Sequence, residues 1–434
     1  MSSGLALRLD DATPAVIEHD TEITRGELAA RADALRQLMH EHSVSRALVQ
    51  SDSPVHLLRA IDACSRSGAD LFIAHTNLPP EVLDEICANH HIQLKIGDTD
   101  EVCSSSSQQE GQSSSGRILM MTSGTTGKPK IAIHTLASIL GRIRAAAQFG
   151  QQQGDKWLLT YQPTGFAGLQ VILTALLTGG AVVAPKQRTP SSFFEAARRS
   201  AITQISGTPT FWRSLLMVHV PGSLDLKQIT LGGEAVDQVT LDRLKAAFPK
   251  ARVTHIYAST EAGVVFAVHD GIAGFPRTWL VTPTQGVQLR INDGFLQINT
   301  ANVMGGYLNA GSQPLLEDGW LATADKCEVR GERVHILGRE DSTINVAGSK
   351  VYPLAIESVL LSLPFVTEAK VYGVRNPISG QLVAADVVVA ASEDRAAARS
   401  KILEACRARL AGYQLPRILN IVDAIAVGAS GKKG

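Results

Sequence analysis

A run of glycine, hydroxyl and lysine residues in the first third of the chain has the composition of an anion-binding loop. The run is Thr122, Ser123, Gly124, Thr125, Thr126, Gly127, Lys128, Pro129 and Lys130. Glycine lets backbone N–H groups turn toward an anion, hydroxyls add neutral donors, and lysines add positive charge. Four apolar residues at 118–121 precede it and predict a short buried strand. The pattern predicts a polyphosphate-binding loop, with a polar surface turn as the alternative.

This loop differs from the P-loop of ATPases. The P-loop motif requires a glycine, four further residues, and then Gly-Lys-Ser/Thr at the start of a helix. Thr122 stands where the first glycine would be, and Pro129 follows the lysine. A phosphate-binding role therefore has to come from a different class of loop.

Three more polar or glycine-rich segments follow predicted strands, at 206–209, 232–234 and 257–261. In an open parallel sheet, ligands bind beyond the carboxyl ends of the strands. We therefore expect these three segments and the loop at 122–130 to face one shared site.

Composition and charge exclude several classes of protein. The chain has 434 residues, of which 44% are hydrophobic, enough for a large core and two to three domains. Lys plus Arg and Asp plus Glu both total 41, a balance that argues against a nucleic-acid partner. Five scattered cysteines indicate reduced thiols, and the N-terminus lacks a signal-peptide pattern. We predict a cytoplasmic protein without a membrane partner.

Alternating strand and helix patterns predict the α/β class. Thr24 and Glu27 have capping-box spacing, and the uncharged stretch 166–185 reads as a buried helix, a glycine turn and a strand. We predict a large N-terminal domain at 1–337, with parallel or mixed sheets flanked by helices. It includes a flexible loop at 103–116 and a small β unit at about 279–337. A hinge at 338–341 and a small, mobile α+β domain at 342–434 follow.

Five motifs, in this order along the chain, resemble those of the adenylate-forming superfamily. They are Thr122–Lys130, Tyr257–Glu261, Gly319–Asp325, Gly338–Gly348 and Ser430–Lys432. The resemblance extends from about residue 117 to the end. The superfamily includes acyl-CoA synthetases, aryl-acid ligases, nonribosomal peptide adenylation domains and luciferases.

This resemblance implies a two-step reaction. A carboxylate attacks the α-phosphate of ATP, which gives an acyl-adenylate and pyrophosphate, and a thiol then takes the acyl group and releases AMP. The implied cofactors are ATP, Mg²⁺ and either coenzyme A or the phosphopantetheine arm of a carrier protein.

The resemblance also implies individual roles at the nucleotide. Residues 122–128 would cradle the β- and γ-phosphates, and Thr260 would donate to the α-phosphate. Glu261 would be the Mg²⁺ ligand, and Asp325 would accept from the ribose hydroxyls. Adenine would stack on Tyr257 and lie beside the turn at 232–234. The remaining ATP-binding residues implied are Gly232, Gly233, Glu234, Ala258, Ser259, Arg339 and Lys432.

A second group of implied roles concerns the small domain. Asp341 would be the hinge at which it rotates between the half-reactions, and Lys432 would reach the α-phosphate and the carboxylate during adenylation. Gly348 would line the pantetheine tunnel after rotation, with Lys350 as a candidate cation for coenzyme A. The chain departs from the family pattern at Ala258 and Ala324, where glycine is usual.

The acyl pocket is expected at Tyr161, Phe166, Gly168, Gly207, Thr208 and Gly263. Amino-acid-activating members carry an aspartate in the first part of this region, and 163–168 has none. Phe166 and the glycines favour a compact apolar or aromatic acid. Coenzyme A and an acyl carrier protein both remain open as acceptors, as does a non-catalytic adenylate-binding protein. The sequence does not indicate the oligomeric state.

Overall fold

The computed structural model describes residues 5, 11–103, 116–122, 129–147, 154–309, 315–377, 379–390 and 392–425, with backbone only at 142 and 144–147. The predicted flexible loop at 103–116 falls almost entirely outside these ranges.

The α-helices of the described residues are α1 (Arg25–Glu41), α2 (Pro54–Ser67), α3 (Pro80–Asn89), α4 (Leu136–Ala147), α5 (Phe166–Leu177), α6 (Pro190–Arg199), α7 (Pro209–Val218), α8 (Gln238–Ala247), α9 (Pro353–Leu361) and α10 (Arg395–Arg409). The β-strands are β1 (Pro14–Glu18), β2 (Thr21–Thr24), β3 (Arg46–Val49), β4 (Asp70–Ile73), β5 (Leu94–Ile96), β6 (Glu101–Val102), β7 (Arg117–Thr122), β8 (Lys130–Thr135), β9 (Lys156–Leu159), β10 (Ala181–Ala184), β11 (Gln204–Gly207), β12 (Gln228–Leu231), β13 (Arg252–Ser259), β14 (Gly263–Val268), β15 (Phe275–Pro276), β16 (Val287–Asn292), β17 (Phe295–Thr300), β18 (Leu321–Arg330), β19 (Arg333–Arg339), β20 (Ile344–Val346), β21 (Ser349–Val351), β22 (Val366–Asn376), β23 (Gly380–Val389) and β24 (Ile418–Ile421).

Two mostly parallel sheets dominate the large N-terminal domain. The eight-stranded sheet has the order β14-β13-β12-β11-β9-β10-β1-β2, with antiparallel pairing at its two ends. The six-stranded sheet has the order β6-β5-β3-β4-β7-β8 and is parallel from β5 to β7. The predicted α/β class is confirmed, and the strand ends expected to form one site are divided between two sheets.

One continuous hydrophobic core joins the two sheets through α1, α2, α4 and α5. A second core covers the other face of the eight-stranded sheet with α6, α7 and α8. Adjacent strand residues point into different cores, as Leu158 and Leu159 do, because successive side chains alternate across a strand. Both faces of this sheet are therefore covered, and its strand ends are the places left for polar groups.

Local sequence signals set several of these elements. Thr24 and Glu27 form the predicted capping box at the start of α1. The predicted buried helix at α5 is also present, and Gly179, at φ +80°, provides the turn before β10. Asp70 is fully buried at the start of β4 and accepts from the backbone and guanidinium of Arg117, which aligns β7 beside β4. The strand that leads into the phosphate-loop segment is thus held by a buried ion pair.

A five-stranded antiparallel sheet, β15-β19-β18-β17-β16, forms the predicted small β unit. Its strand β18 begins at Leu321, so Asp325 lies within a strand. The smaller C-terminal domain has the sheet β21-β20-β23-β22, with β24 parallel to β23, and packs α9 and α10 on a core of its own. The exact boundaries 1–337, 338–341 and 342–434 stay predictions. Within the part of the chain that the structure describes, no helix is long and apolar enough to cross a membrane.

A buried ion pair joins the two domains. The Arg213 guanidinium in α7 donates through Nε to Glu368 in β22 at 3.3 Å, and the two side chains are only 4% and 5% exposed. The same guanidinium donates to Asp237 and Thr240 of the large domain, at 3.4 Å each. The small domain therefore docks on α7 through a desolvated charge pair.

Replacing Arg213 with methionine should destabilise the protein strongly. Removing one member of a buried pair leaves its carboxylate partners desolvated without their guanidinium, so we expect Arg213→Met to lower the free energy of unfolding by about 3–5 kcal/mol. Guanidinium chloride titration followed by circular dichroism measures this change. The matched control is Arg198→Met, which breaks the exposed pair with Glu195 and should cost less than about 1 kcal/mol. Equal losses in the two variants would contradict the importance given to the buried pair.

Candidate functional site

Three of the four predicted strand-end segments lie side by side. Strands β11, β12 and β13 are neighbours and parallel, so residues 206–209, 232–234 and 257–261 emerge at the same edge of the eight-stranded sheet. The fourth segment, at 122–130, connects β7 and β8 at the edge of the other sheet. A separate part of the chain has to bring it to the site.

Residues 304–309, here called the bridging segment, make that connection. Gly305 N donates to Ile133 O at 2.7 Å, and Ile133 N donates to Gly306 O at 2.9 Å, so the segment pairs with β8. At its end the Asn309 side chain donates to Pro129 O at 2.9 Å, beside the phosphate-loop segment. At its start Met304 N donates to Glu261 O at 2.8 Å. The bridging segment therefore fixes the two strand-end segments relative to each other.

The side chain of Glu261 is held by the same segment. Tyr307 donates from its hydroxyl to Glu261 Oε1 at 2.7 Å, and Lys130 Nζ lies 5.1 Å from the centre of the Tyr307 ring. The predicted metal ligand is thereby oriented by a neutral donor, with a cation on the far side of that donor's ring.

A second tyrosine–carboxylate contact lies nearby. Tyr257, near the end of β13, donates from its hydroxyl to Asp325 Oδ2, and its ring stacks on Phe266 with centroids 5.4 Å apart. Burial and the adjacent Asp325 carboxylate raise the pKa of Tyr257 well above its usual value, so the phenol stays protonated and keeps donating. The residues predicted for adenine and ribose binding are thus in direct contact.

Arg339 places a positive charge near the carboxylates of this region. Its Nε donates to Asp341 at 3.3 Å, which links the predicted ribose and hinge residues. Burial opposes the charged guanidinium, but the neighbouring carboxylates of Asp341, Asp325 and Glu261 outweigh it and raise the pKa of Arg339. A permanent cation therefore faces the predicted nucleotide-binding carboxylates.

The turn at 232–234 is tied to α7. Glu234 accepts from both the backbone N and the hydroxyl of Thr210, at 3.1 and 2.7 Å. Thr210 in turn accepts from the guanidinium of Arg213 at 3.0 Å. The Glu234 carboxylate thus stabilises the start of α7, so contacts of this predicted adenine-lining turn with adenine would come from its backbone. Through Thr210 the same carboxylate is linked to Arg213 at the domain interface.

Two of the predicted acyl-pocket residues, Phe166 and Gly263, lie next to each other. A Cβ placed on Gly263 would be 3.8 Å from Phe166, and Gly263 itself has φ +68°. A Cβ on Gly207 would overlap the Phe211 ring at 2.3 Å. Tyr161 donates from its hydroxyl to Gly232 O at 3.3 Å, so the pocket residues also adjoin the predicted adenine turn. Of the other two, Thr208 caps α7, and Gly168 lies against the backbone of Gln162.

The sequence interpretation missed His134 in this region. It is 2% exposed in β8, and its ring centre lies 6.0 Å from that of Phe166. Burial lowers the pKa of His134 to about 4, while the backbone of Thr260 and the charge of Glu261 act in the opposite direction. His134 is therefore a neutral imidazole between the predicted acyl pocket and the Thr260–Glu261 pair.

The small domain presents its predicted thiol-tunnel residues at one hairpin. Ala347 and Gly348 have φ of +49° and +86° and form the tight turn between β20 and β21. A Cβ on Gly348 would meet no atom within 4 Å, so in this arrangement glycine is required by the backbone and not by crowding. Lys350 pairs with Glu340 at 3.0 Å. An open cavity of 710 Å³ beside the turn is lined by small-domain residues that include Asn345, Arg375 and Gln381.

Some predicted residues lie outside the described ranges. These are Ser123, Gly124, Thr125, Thr126, Gly127 and Lys128 of the phosphate loop, and Lys432 near the end of the chain. Their roles, and those of the residues described above, stay predictions. The ends of the loop, Thr122 and Pro129, are both described, and Thr122 donates to Lys130 O at 3.3 Å across the base of the loop.

Comparisons with known proteins agree with this architecture. The family model for AMP-binding enzymes matches residues 106–308, and that for the C-terminal domain of AMP-binding enzymes matches residues 355–432. A 2-succinylbenzoate–CoA ligase from Bacillus subtilis is 25% identical over 466 residues, covering 96% of this chain and 93% of the relative. A feruloyl-CoA synthase from Amycolatopsis is 27% identical, covering 85% of this chain and 78% of the relative.

Solved structures share the fold. An anthranilate CoA ligase in complex with anthranoyl-AMP superimposes with a TM-score of 0.82 at 18% identity, covering 100% of this chain and 96% of that one. The o-succinylbenzoate CoA synthetase of Bacillus subtilis, with its acyl-adenylate, gives a TM-score of 0.74 at 23% identity, covering 99% and 97%.

The chain belongs to the AMP-binding enzyme family, that is, to the adenylate-forming superfamily. Within that superfamily it is an AMP-forming acid–thiol ligase.

Acid should destabilise the fold partly through His134. Its pKa falls from an ordinary 6.5 to about 4 on folding, so the unfolded chain binds the proton more readily below pH 6.5. Stability is therefore lost as the pH falls from about 6.5 toward 4, by up to about 3 kcal/mol for this group. We expect His134→Gln to shrink the drop in melting temperature between pH 7 and pH 5. The exposed His40→Gln is the control, and an unchanged drop in both variants would refute the assignment.

Proposed function

We propose that this chain converts a compact aromatic carboxylic acid into its acyl-adenylate with ATP and transfers the acyl group to coenzyme A. Pyrophosphate leaves in the first step and AMP in the second, and the cofactors are ATP, Mg²⁺ and coenzyme A. The observation that carries this proposal is the hydrogen-bonded connection between the region of Glu261 and Asp325 and the stem of the phosphate loop. They are joined by the Tyr257–Asp325 and Tyr307–Glu261 hydrogen bonds and by the bridging segment.

The first half-reaction requires the acid's carboxylate to approach a polyanion, so positive charge and donors must offset the repulsion. In this proposal the loop at 122–128 holds the β- and γ-phosphates, and Thr260 donates to the α-phosphate. Lys432 brings its ammonium to the reacting carboxylate. Asp325 accepts from the ribose hydroxyls, and Arg339 holds the ribose or phosphate side. These contacts orient the α-phosphate for in-line attack by the acid.

The residues present fit a magnesium ion that shares its ligands with the nucleotide. Within the described ranges, no group of three or more His, Cys, Asp or Glu side chains is arranged to hold a metal by itself. Glu261 offers a hard carboxylate, and a carboxylate has about four lone-pair sites, so the Tyr307 bond leaves it able to accept further. Bound there, Mg²⁺ would offset the charge of the phosphates. Glu261 would supply the protein's ligand and the phosphates the others.

The second half-reaction is assigned to the small domain. Rotation at 338–341 would bring the Ala347–Gly348 hairpin to the cleft, where it would line the path of the pantetheine arm. Arg375 and Lys350, beside that hairpin, are the cations proposed for the phosphates of coenzyme A. Coenzyme A is favoured over a carrier protein because the relatives cited above are named as CoA ligases.

An aromatic acid is favoured by the pocket and by the relatives. Phe166 faces Gly263, and Phe211 covers Gly207, so flat apolar surface is available beside small residues. The segment 163–168 carries no aspartate to pair an α-ammonium, which argues against amino acids. The two relatives are named for 2-succinylbenzoate and ferulate, and both acids contain an aromatic ring.

Acid-dependent ATP–pyrophosphate exchange should occur with aromatic acids and exceed that with amino acids or medium-chain fatty acids. Product analysis by mass spectrometry with coenzyme A, and separately with a phosphopantetheinylated carrier protein, identifies the acceptor. An acyl-CoA product with no acylated carrier supports the proposal. Acylation of the carrier protein alone would show that the carrier protein, and not coenzyme A, is the acceptor. No exchange and no AMP with any acid would favour a non-catalytic adenylate-binding protein.

Lys432→Ala should separate the two half-reactions. In this proposal the Lys432 ammonium offsets the repulsion between the acid's carboxylate and the phosphates of ATP. We therefore expect acid-dependent exchange to fall by a factor of about 100 or more. Thioester formation from supplied acyl-AMP should change far less. The adjacent Lys433→Ala is the matched control and should leave both half-reactions close to those of the unmodified enzyme. Equal losses in the two half-reactions of Lys432→Ala would contradict its assigned role.

A further inference from the structure

We infer that Tyr307 is a positioning residue that fixes the carboxylate of Glu261 for the Mg²⁺–nucleotide complex. The inference rests on the proposed function, because it takes Glu261 as the metal ligand, and it assigns a role to a residue that the motifs did not include. Tyr307 touches neither ATP nor the acid in this proposal and acts through Glu261.

The backbone of Tyr307 is held by strand pairing on both sides. The bridging segment pairs with β8 on both sides of it, through Ile133 N to Gly306 O at 2.9 Å and Leu308 N to Ile131 O at 2.8 Å. Ala132 forms a β-bridge with Tyr307 itself. Strand pairing therefore fixes the backbone that carries the ring, and the phenol oxygen lies 2.7 Å from Glu261 Oε1.

The backbone of Glu261 is attached to the same segment. Met304 N donates to Glu261 O at 2.8 Å, three residues before the tyrosine. The main chain and the side chain of Glu261 are thus both restrained by residues 304–307. A restraint of this kind restricts a flexible side chain to one conformer, and groups that orient a metal ligand typically change metal affinity by about 10-fold to 100-fold when removed.

The chemistry of the donor suits a metal ligand. A lysine or arginine bonded to Glu261 would cancel the charge that attracts Mg²⁺, whereas a phenol orients the carboxylate and leaves its charge intact. Lys130, at the start of β8, lies over the face of the Tyr307 ring with its Nζ 5.1 Å from the ring centre. Its attraction to the ring gives the ammonium a neutral contact in place of the carboxylate.

The variant that tests this inference is Tyr307→Phe, which removes one hydroxyl and keeps the ring that packs under Lys130. The ligand is an ATP analogue with a methylene bridge between the α- and β-phosphorus atoms. It cannot transfer its AMP group to an acid, because the bond that would release pyrophosphate does not break. Calorimetry measures its dissociation constant with Mg²⁺ and again with a chelator. We expect the preference for the Mg²⁺ complex to fall by about 10-fold or more, while binding of the metal-free analogue is unchanged.

Tyr372→Phe is the matched control. Tyr372 also donates from its hydroxyl to a carboxylate, Asp386 at 3.1 Å, and it also lies under a lysine, Lys370, whose Nζ is 5.7 Å from the ring centre. It lies in β22 of the small domain, outside the proposed site. Its removal should leave the Mg²⁺ preference unaltered, so a general effect of losing a tyrosine–carboxylate bond is separated from the specific one.

A double substitution separates positioning from a structural role. Glu261→Gln should itself abolish most of the Mg²⁺ preference, and adding Tyr307→Phe should then produce no further loss. A preference retained in Tyr307→Phe would overturn the inference, and so would equal weakening of metal-free and Mg²⁺-bound analogue. An unchanged preference for the Mg²⁺ complex in Glu261→Gln would show that Glu261 is not the metal ligand, and the inference about Tyr307 would lose its basis. These readouts need no carboxylic acid, so they are independent of the exchange assay that tests the proposed function.

Discussion

The site depends on the alignment of two sheets that do not pair with each other. The phosphate-loop segment connects β7 and β8 of one sheet, while Thr260 and Glu261 follow β13 of the other. A shared core through α1, α2, α4 and α5 sets the distance between the sheets. The bridging segment then ties β8 to Glu261 by backbone hydrogen bonds. An error of an ångström in this alignment would separate the groups that are proposed to act on a single nucleotide.

Two carboxylates of the candidate site share one chemical arrangement. Asp325 and Glu261 each accept a hydrogen bond from a tyrosine, Tyr257 and Tyr307, in the part of the chain described here. The phenols orient acidic groups without neutralising them, and Arg339 supplies positive charge from one side. A ligand with hydroxyl groups and a metal-bound polyphosphate would meet carboxylate oxygens whose positions are already set by these hydrogen bonds.

Short-range signals made much of this fold predictable. The capping box at Thr24, the strand at 118–121 and the helix–turn–strand sequence after Phe166 depend on residues a few positions apart. The same is true of the strand-end motifs that pointed to the site.

The features that escaped prediction depend on partners far apart in the chain. Tyr307 reaches Glu261 across 46 residues, and Arg213 reaches Glu368 across 155. Neither Tyr307 nor Arg213 belongs to a periodic or turn-forming pattern in the sequence. The bridging segment pairs with β8 only because two sheets pack together. His134 was missed for a related reason, since an isolated histidine in an apolar strand does not reveal which pocket it adjoins. The division of the strand ends between two sheets likewise follows from packing.

The charged contact between the domains has a further consequence for the catalytic cycle. A mutation that removes Arg213 or Glu368 leaves the other charge buried without its partner. Separation of the two domains instead exposes both charged side chains to water. Hydration then compensates for most of the lost attraction, so such a contact defines an orientation without binding tightly. Apolar surface of the same extent would adhere more firmly and release more slowly. An ionic joint of this kind would suit the proposed rotation of the small domain, which would have to be placed accurately and released once in every turnover.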